Sequence, residues 1–293
     1  MTVTDPGAGV VGRARETELL MAALESGAHV LLEGPPGTGK TTLLRAVAAE
    51  SKTSFVFVEG NAELTPARLI GHFDPALVLD HGYGPATFVD GPLVEALRAG
   101  SLLYVEEANR IPEETLNVLV TVMSEGELHV PRLGCIGAAE GFRLVAAMNP
   151  FDTVGTARIA AAIYDRVCRI AMGYQDAAAE VAIVALRAPE VPPGWRATVV
   201  ELVRRTRQHP DVRIGASVRG AIDTVRVAVA LAGRRGLSVT DWDVGLDAAL
   251  VALSGRIRLR EGSGRDPEAV VRELYTAVFT ASESAGGDAP GGA

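Results

Sequence analysis

Residues Gly34 to Thr41 read GPPGTGKT and fit the pattern G-x-x-x-x-G-K-[ST]. The chemistry this spacing serves is the binding of a polyphosphate. Gly34, Pro35, Pro36, Gly37, Thr38 and Gly39 form the loop, and its glycines let successive backbone N–H groups turn inward around phosphate oxygens. Lys40 brings a point charge to the β and γ phosphates. The Thr41 hydroxyl suits Mg²⁺, and Thr42 continues the first helical turn, whose positive end faces the same anion. The plain alternative is a glycine-rich turn. Against it stands the rarity of lysine, because Lys40 and Lys52 are the only two in the chain.

A second chemical pattern is Leu102–Glu107, LLYVEE, an apolar run ending in two carboxylates. Beside a phosphate loop, one carboxylate holds a metal's water shell and the next orients an attacking water. Glu106 is assigned to the metal and Glu107 to the water. A third is Met148–Asn149–Pro150, where an amide at a strand end can hold that water. Taken singly, these read as exposed glutamates and an Asn-Pro turn. Their order along the chain favours the chemical reading.

These residues need a scaffold that brings loop ends together. Short apolar runs at 29–33, 55–59, 101–106, 143–148 and 167–171 read as buried strands, and helical patterns at 41–50, 92–99, 112–124 and 157–164 separate most of them. Such alternation predicts a parallel sheet with helices on both faces. Residues 76–90 and 127–141 interrupt the rhythm and read as hairpins. After Gly173 come five helical patterns, at 176–187, 195–208, 216–232, 240–256 and 266–281. The organisation expected is a flexible arm over 1–9, an α/β nucleotide-binding core over 10–174, an all-helical domain over 175–281 and a disordered tail over 282–293.

Composition narrows the function classes. The 293 residues are 48% hydrophobic with a mean hydropathy of +0.21, enough for a sizeable core and too apolar for a wholly disordered chain. No apolar run approaches a membrane span, and the N-terminus lacks the features of a secretory signal. Cys135 and Cys168 are the only cysteines, which excludes a disulfide framework and fits a reducing cytoplasm. Residues 1–175 carry 13 basic and 21 acidic side chains; such an acidic half speaks against a nucleic-acid surface there.

The succession GPPGTGKT, GPLVEAL (91–97), EEANR (106–110), AAMNP (146–150), YDRV (164–167) and GASVRG (215–220) resembles the MoxR family of AAA+ ATPases over residues 10–275. The resemblance implies a P-loop AAA+ core with a five-stranded parallel sheet ordered 5-1-4-3-2, two hairpin insertions and a helical lid. It implies binding and hydrolysis of ATP with Mg²⁺ in a ring, commonly a hexamer, whose nucleotide lies between neighbouring subunits. By motif, Asn149 matches the sensor 1 residue, Arg219 the sensor 2 arginine and Arg166 the arginine finger, with Arg158 as the competing finger. Val10 and Val11, in the segment Val10–Arg13, match the residues that pack on adenine. The chain departs from the pattern at Glu106, where Asp is usual, and at Val167, where Phe is usual.

The function this implies is chaperone-like remodelling or activation of a partner protein, a von Willebrand factor A domain protein being the family's usual one. Two rivals follow from the same residues: a nucleic-acid-directed motor, and an ATP-binding scaffold with little turnover. The cluster His72, Asp74, Asp80 and His81 reads as a solvated loop rather than a metal site. Arg204, Arg205, Arg207 and Arg213 read as a solvated or subunit-facing surface.

Overall fold

The computed structural model describes residues 10–150 and 161–286. The arm expected over 1–9, the rival finger Arg158 and the tail beyond 286 lie outside the described residues. The chain divides into two compact units, one ending at Gly173 and the other beginning at Tyr174.

The first unit opens with α1 (Ala14–Glu25), β1 (His29–Glu33), α2 (Lys40–Glu50) and β2 (Phe55–Glu59). Next come α3 (Pro66–Ile70), β3 (Gly71–Phe73), α4 (Pro75–His81), β4 (Phe88–Asp90), α5 (Pro92–Ala99) and β5 (Leu102–Glu106). It closes with α6 (Glu113–Glu125), β6 (Glu127–Val130), β7 (Gly134–Gly137), β8 (Arg143–Met148), α7 (Ala161–Tyr164) and β9 (Val167–Ala171). Five strands form one sheet in the order β2-β5-β8-β1-β9, every pair parallel. Numbered among themselves, these strands run 5-1-4-3-2, the order the resemblance implies.

Strand alternation divides the core. Leu31, Leu103, Val105, Leu144 and Ala146 pack on one face with Leu93, Leu97, Leu116 and Leu119 of α5 and α6. Val30, Leu32, Tyr104, Val145 and Ala147 pack on the other with Leu20 of α1 and Leu43, Leu44 and Val47 of α2. Burying such side chains contributes about 1.5–3 kcal/mol each, which pins α2, and with it the loop before it, against the sheet.

The two interruptions resolve differently. Residues 127–137 are a hairpin, β6 with β7, in the register His129↔Cys135. The hairpin expected over 76–90 is instead an antiparallel pair, β3 with β4, that encloses α4. Asp74 accepts hydrogen bonds from the N–H groups of Ala76 and Leu77, and Pro75 takes the first helical position. That capping starts a helix where the apolar run reads as a strand.

The second unit comprises α8 (Ala177–Arg187), α9 (Pro193–Thr206), β10 (Val212–Ile214), α10 (Val218–Arg235), α11 (Trp242–Leu253), β11 (Arg258–Leu259) and α12 (Pro267–Gly286). Trp195, Val199, Val225, Val244, Leu253, Val270 and Tyr275 centre its core. It is not wholly helical: β10 and β11 form an antiparallel pair too short to show a period of two. The last helix also runs past Ala281 and into the tail expected from 282. Residues 282–285 include no glycine or proline, and the Ser282 hydroxyl lies 3.3 Å from that of Thr198.

Candidate nucleotide site

The sheet topology puts the C-terminal ends of β1, β5 and β8 side by side, with β8 between the other two. This edge is where parallel α/β sheets bind ligands. From β1 the chain enters Gly34, which must lack a side chain. A Cβ there would sit 2.0 Å from the Met172 carbonyl oxygen. Gly34→Ala is expected to cost about 1–3 kcal/mol by overpacking, read as a fall in Tm of several degrees in a thermal melt.

Pro35 and Pro36 carry the chain out of the strand, and Pro36 stands exposed in the turn. Neither can donate a backbone N–H, and the Gly34 N–H is already given to the Met148 carbonyl at 3.2 Å. Gly34, Pro35 and Pro36 therefore shape the loop rather than donate to a phosphate.

The loop then turns through Gly37 and Gly39, both at positive φ (76° and 88°). Gly39 occupies the N-cap of α2, and no side chain caps that helix. Its first N–H groups therefore keep their capacity for an anion. The Lys40 ammonium curls back over the loop, donating to the carbonyls of Gly34 (2.8 Å) and Pro35 (3.0 Å). The Thr38 hydroxyl closes the turn on Pro35 at 3.0 Å. This is a pre-shaped cradle with a cation at its centre.

Arg13 braces the cradle from behind, a role that residue types and spacing do not reveal. Its guanidinium is buried, donates to the Thr38 carbonyl (3.0 Å) and the Gly173 carbonyl (2.6 Å), and pairs with Glu16 at 2.6 Å. Arg13→Met would leave both carbonyls without this donor. About 2–4 kcal/mol of stability should be lost, measurable by denaturant unfolding, together with weaker nucleotide binding in a titration. Val10, just upstream, packs against the cluster around Leu20, Leu43 and Leu44.

At the end of β5 the two carboxylates take different places. The Thr41 hydroxyl donates to Glu106 Oε1 at 2.7 Å, and the Tyr104 phenol lies 3.2 Å from the same hydroxyl. Glu106 thus spans the extra methylene and reaches the loop. The Gly60 N–H holds its carbonyl at 2.7 Å. Glu107 adopts a left-handed backbone, φ 53° and ψ 42°, uncommon for a residue with a side chain. That turn breaks the strand's alternation, which would send neighbouring side chains to opposite faces. The pKa of the Tyr104 phenol is pushed up chiefly by burial and further by the charges of Glu106 and Glu107. Glu107 Oε2 lies 3.5 Å from Arg110 Nε.

Asn149 follows β8, and its carbonyl accepts from the buried Asn109 side chain at 3.4 Å. Arg166 is tied to α6 and α7: Nε donates to the Ser124 hydroxyl at 2.5 Å and Nη1 to the Ala162 carbonyl at 2.8 Å. Arg219 stands in the first turn of α10 in the second unit. There it lines a cavity of about 230 Å³ with Arg187, Ile222, Asp223 and Arg226. The structure therefore brings Thr41 of the loop to Glu106, with Glu107 next along the chain and Asn149 just past β8, the strand between β1 and β5. It places Arg166 elsewhere in the first unit.

The weaker signals take structural roles. Arg204 and Arg207 grip the buried Glu180 at 3.2 and 2.8 Å, and Arg205 pairs with Glu201 at 2.6 Å. Asp74 is a helix cap. Among the described residues no group of His, Cys, Asp and Glu is arranged to hold a metal by itself. None of the described helices is long and apolar enough to cross a membrane.

A glycine-lined loop wrapped on a lysine, entering a helix beside an acidic strand end, defines a P-loop nucleotide-binding protein. Residues 29–167 match the family model for the AAA domain of the dynein-related subfamily. The gas vesicle ATPase GvpN of Ancylobacter aquaticus is 31% identical over 274 residues, covering 88% of this chain and 74% of that protein. The uncharacterized Bacillus subtilis protein YeaC is 28% identical, covering 92% and 90%. Among solved structures, a mutant of the Thermotoga maritima protein RuvB superposes with a TM-score of 0.55 at 18% identity, over 82% of this chain and 70% of that one. The chain belongs to the AAA+ family of ATPases.

Proposed function

We propose that this chain is a MoxR-type AAA+ ATPase that works as a ring, commonly of six copies, in the cytoplasm and couples hydrolysis of Mg·ATP to remodelling or activating a partner protein. The observation that carries the site is the 2.7 Å hydrogen bond from Thr41 to Glu106, which joins the loop to the acidic strand end. In this reading Gly34–Thr42 wrap the phosphates, with Pro35 and Pro36 holding the shape of the loop. Lys40 neutralises the phosphates, and Val10 and Val11 cover the adenine. Thr41 and Glu106 form the oxygen donor set that suits Mg²⁺. When bound, the ion neutralises charge on the β and γ phosphates. Glu107 orients the attacking water and accepts its proton. Asn149 holds that water in line. Arg219 takes the sensor 2 role that the MoxR resemblance implies, and Arg166 serves the neighbouring subunit's γ-phosphate.

The test is ATP turnover across protein concentration. Specific activity that rises with concentration supports a site shared between subunits. Turnover that is independent of concentration down to the monomer would overturn it. A partner with a von Willebrand factor A domain is the client class that the resemblance to the MoxR family implies. The 31% identity to GvpN favours a second reading, in which the client belongs to a gas vesicle system. A nucleic-acid track is disfavoured. The β6–β7 hairpin offers one basic residue, Arg132, and its guanidinium is stacked on the Tyr83 ring at 3.8 Å. DNA that stimulates turnover would reverse that judgement.

A further inference from the structure

We infer that Tyr104 is a positioning residue of the metal half of the site: its phenol holds the Thr41 hydroxyl so that one lone pair of that oxygen stays directed to a divalent cation. The inference rests on reading Gly34–Thr42 as the Mg·ATP loop. It begins with strand alternation. Tyr104 lies two residues before Glu106 on β5, so both side chains leave the sheet on the face covered by α2. Tyr104 is fully buried there among Val30, Leu32, Leu43 and Leu44, with its ring tilted against Phe57 at a centroid distance of 5.7 Å. An apolar residue would fill this position without any polar atom to satisfy. A buried phenol needs a partner for its O–H, and the partner within reach is Thr41 Oγ1 at 3.2 Å.

Proton accounting then fixes the direction. A threonine hydroxyl has one proton and two lone pairs, while an ionised carboxylate only accepts. The Thr41 proton goes to Glu106. Tyr104 must therefore donate, filling one lone pair of Thr41. A single acceptor position is left on that oxygen, and its direction is set by two bonds from a rigid strand. A threonine held by Glu106 alone would keep freedom to rotate its second lone pair away. Partners that orient a metal ligand in this way are typically worth 10–100-fold in metal affinity.

The experiment is calorimetric titration of ADP with and without Mg²⁺ into the wild type, Tyr104→Phe, Thr41→Ala and the double variant, with a thermal melt of each. Tyr104→Phe should bind ADP in EDTA as the wild type does, and should lose on the order of 10-fold of the affinity gained on adding Mg²⁺. In the Thr41→Ala background the same substitution should change nothing further. Three results would overturn the inference: an undiminished Mg²⁺ gain in Tyr104→Phe, an equal loss with and without Mg²⁺, or a loss that persists without the Thr41 hydroxyl. A wild type that gains nothing from Mg²⁺ would instead overturn the reading of the loop itself, and this inference with it.

Discussion

Replacing Arg166 with alanine is expected to cut ATP turnover by about 10³-fold or more while leaving nucleotide affinity close to that of the wild type. A guanidinium stays protonated and offers fixed paired donors, so it stabilises the charge on the γ-phosphoryl oxygens as the bond breaks. In the structure its donors go to Ser124 and Ala162, neither of which belongs to the phosphate loop of its own subunit. As the arginine finger we propose, it would serve a neighbouring subunit's γ-phosphate. The decisive measurement mixes Arg166→Ala with Lys40→Ala. Each variant is expected to be nearly inactive by itself: the first lacks the finger, the second the lysine that holds the phosphates. In mixed rings a Lys40→Ala subunit still offers its arginine to an Arg166→Ala neighbour, so part of the activity should return. Wild-type turnover in Arg166→Ala by itself would remove the finger assignment.

Glu107→Gln is the second large effect. The amide keeps the size of the side chain but cannot take a proton, and general-base catalysis contributes typically about 10²–10⁴-fold. Turnover should fall by that factor, with ATP still bound and the melting temperature little changed, because the left-handed backbone and the 3.5 Å approach to Arg110 concern positions the glutamine can also occupy. Steady-state phosphate release beside a nucleotide-binding titration measures both. More than a tenth of wild-type turnover in Glu107→Gln would show that the water is oriented by another group. The same variant, stalled with ATP, is the form in which a client should be captured. Recovery of a von Willebrand factor A domain protein or of gas vesicle proteins would distinguish the two readings of the partner.

Much of the site is legible in the linear chain because its parts are local. The pattern at 34–41 is contiguous, and the flanking strand and helix follow from apolar runs on either side of it. Glu106 and Glu107 announce themselves by ending an apolar strand. The departures are also local in cause. The run at 76–81 has the composition of a strand, but a capping aspartate and a proline at 74 and 75 make it a helix. The pair β10–β11 is too short to leave a periodic trace. Within the loop, Pro35 and Pro36 fit the pattern's open positions yet bring no N–H, so the donors crowd toward its helical end.

By itself the sequence determined the loop, the acidic strand end, the helical character of the second unit and the chemistry these residues suit, because backbone geometry and charge within a few residues dictate them. The tertiary structure decided what no spacing encodes. It decided that Glu106, one methylene longer than the usual aspartate, reaches Thr41. It decided that Arg13 braces the loop from far upstream in the chain, that Tyr104 meets the same hydroxyl from β5, and that Arg204 and Arg207 are occupied by a buried glutamate rather than offered to a partner. Each of these is a contact between residues distant in the chain. Such contacts depend on the order of strands in the sheet and on which helix covers which face, and these are settled only when the whole apolar surface is buried at once.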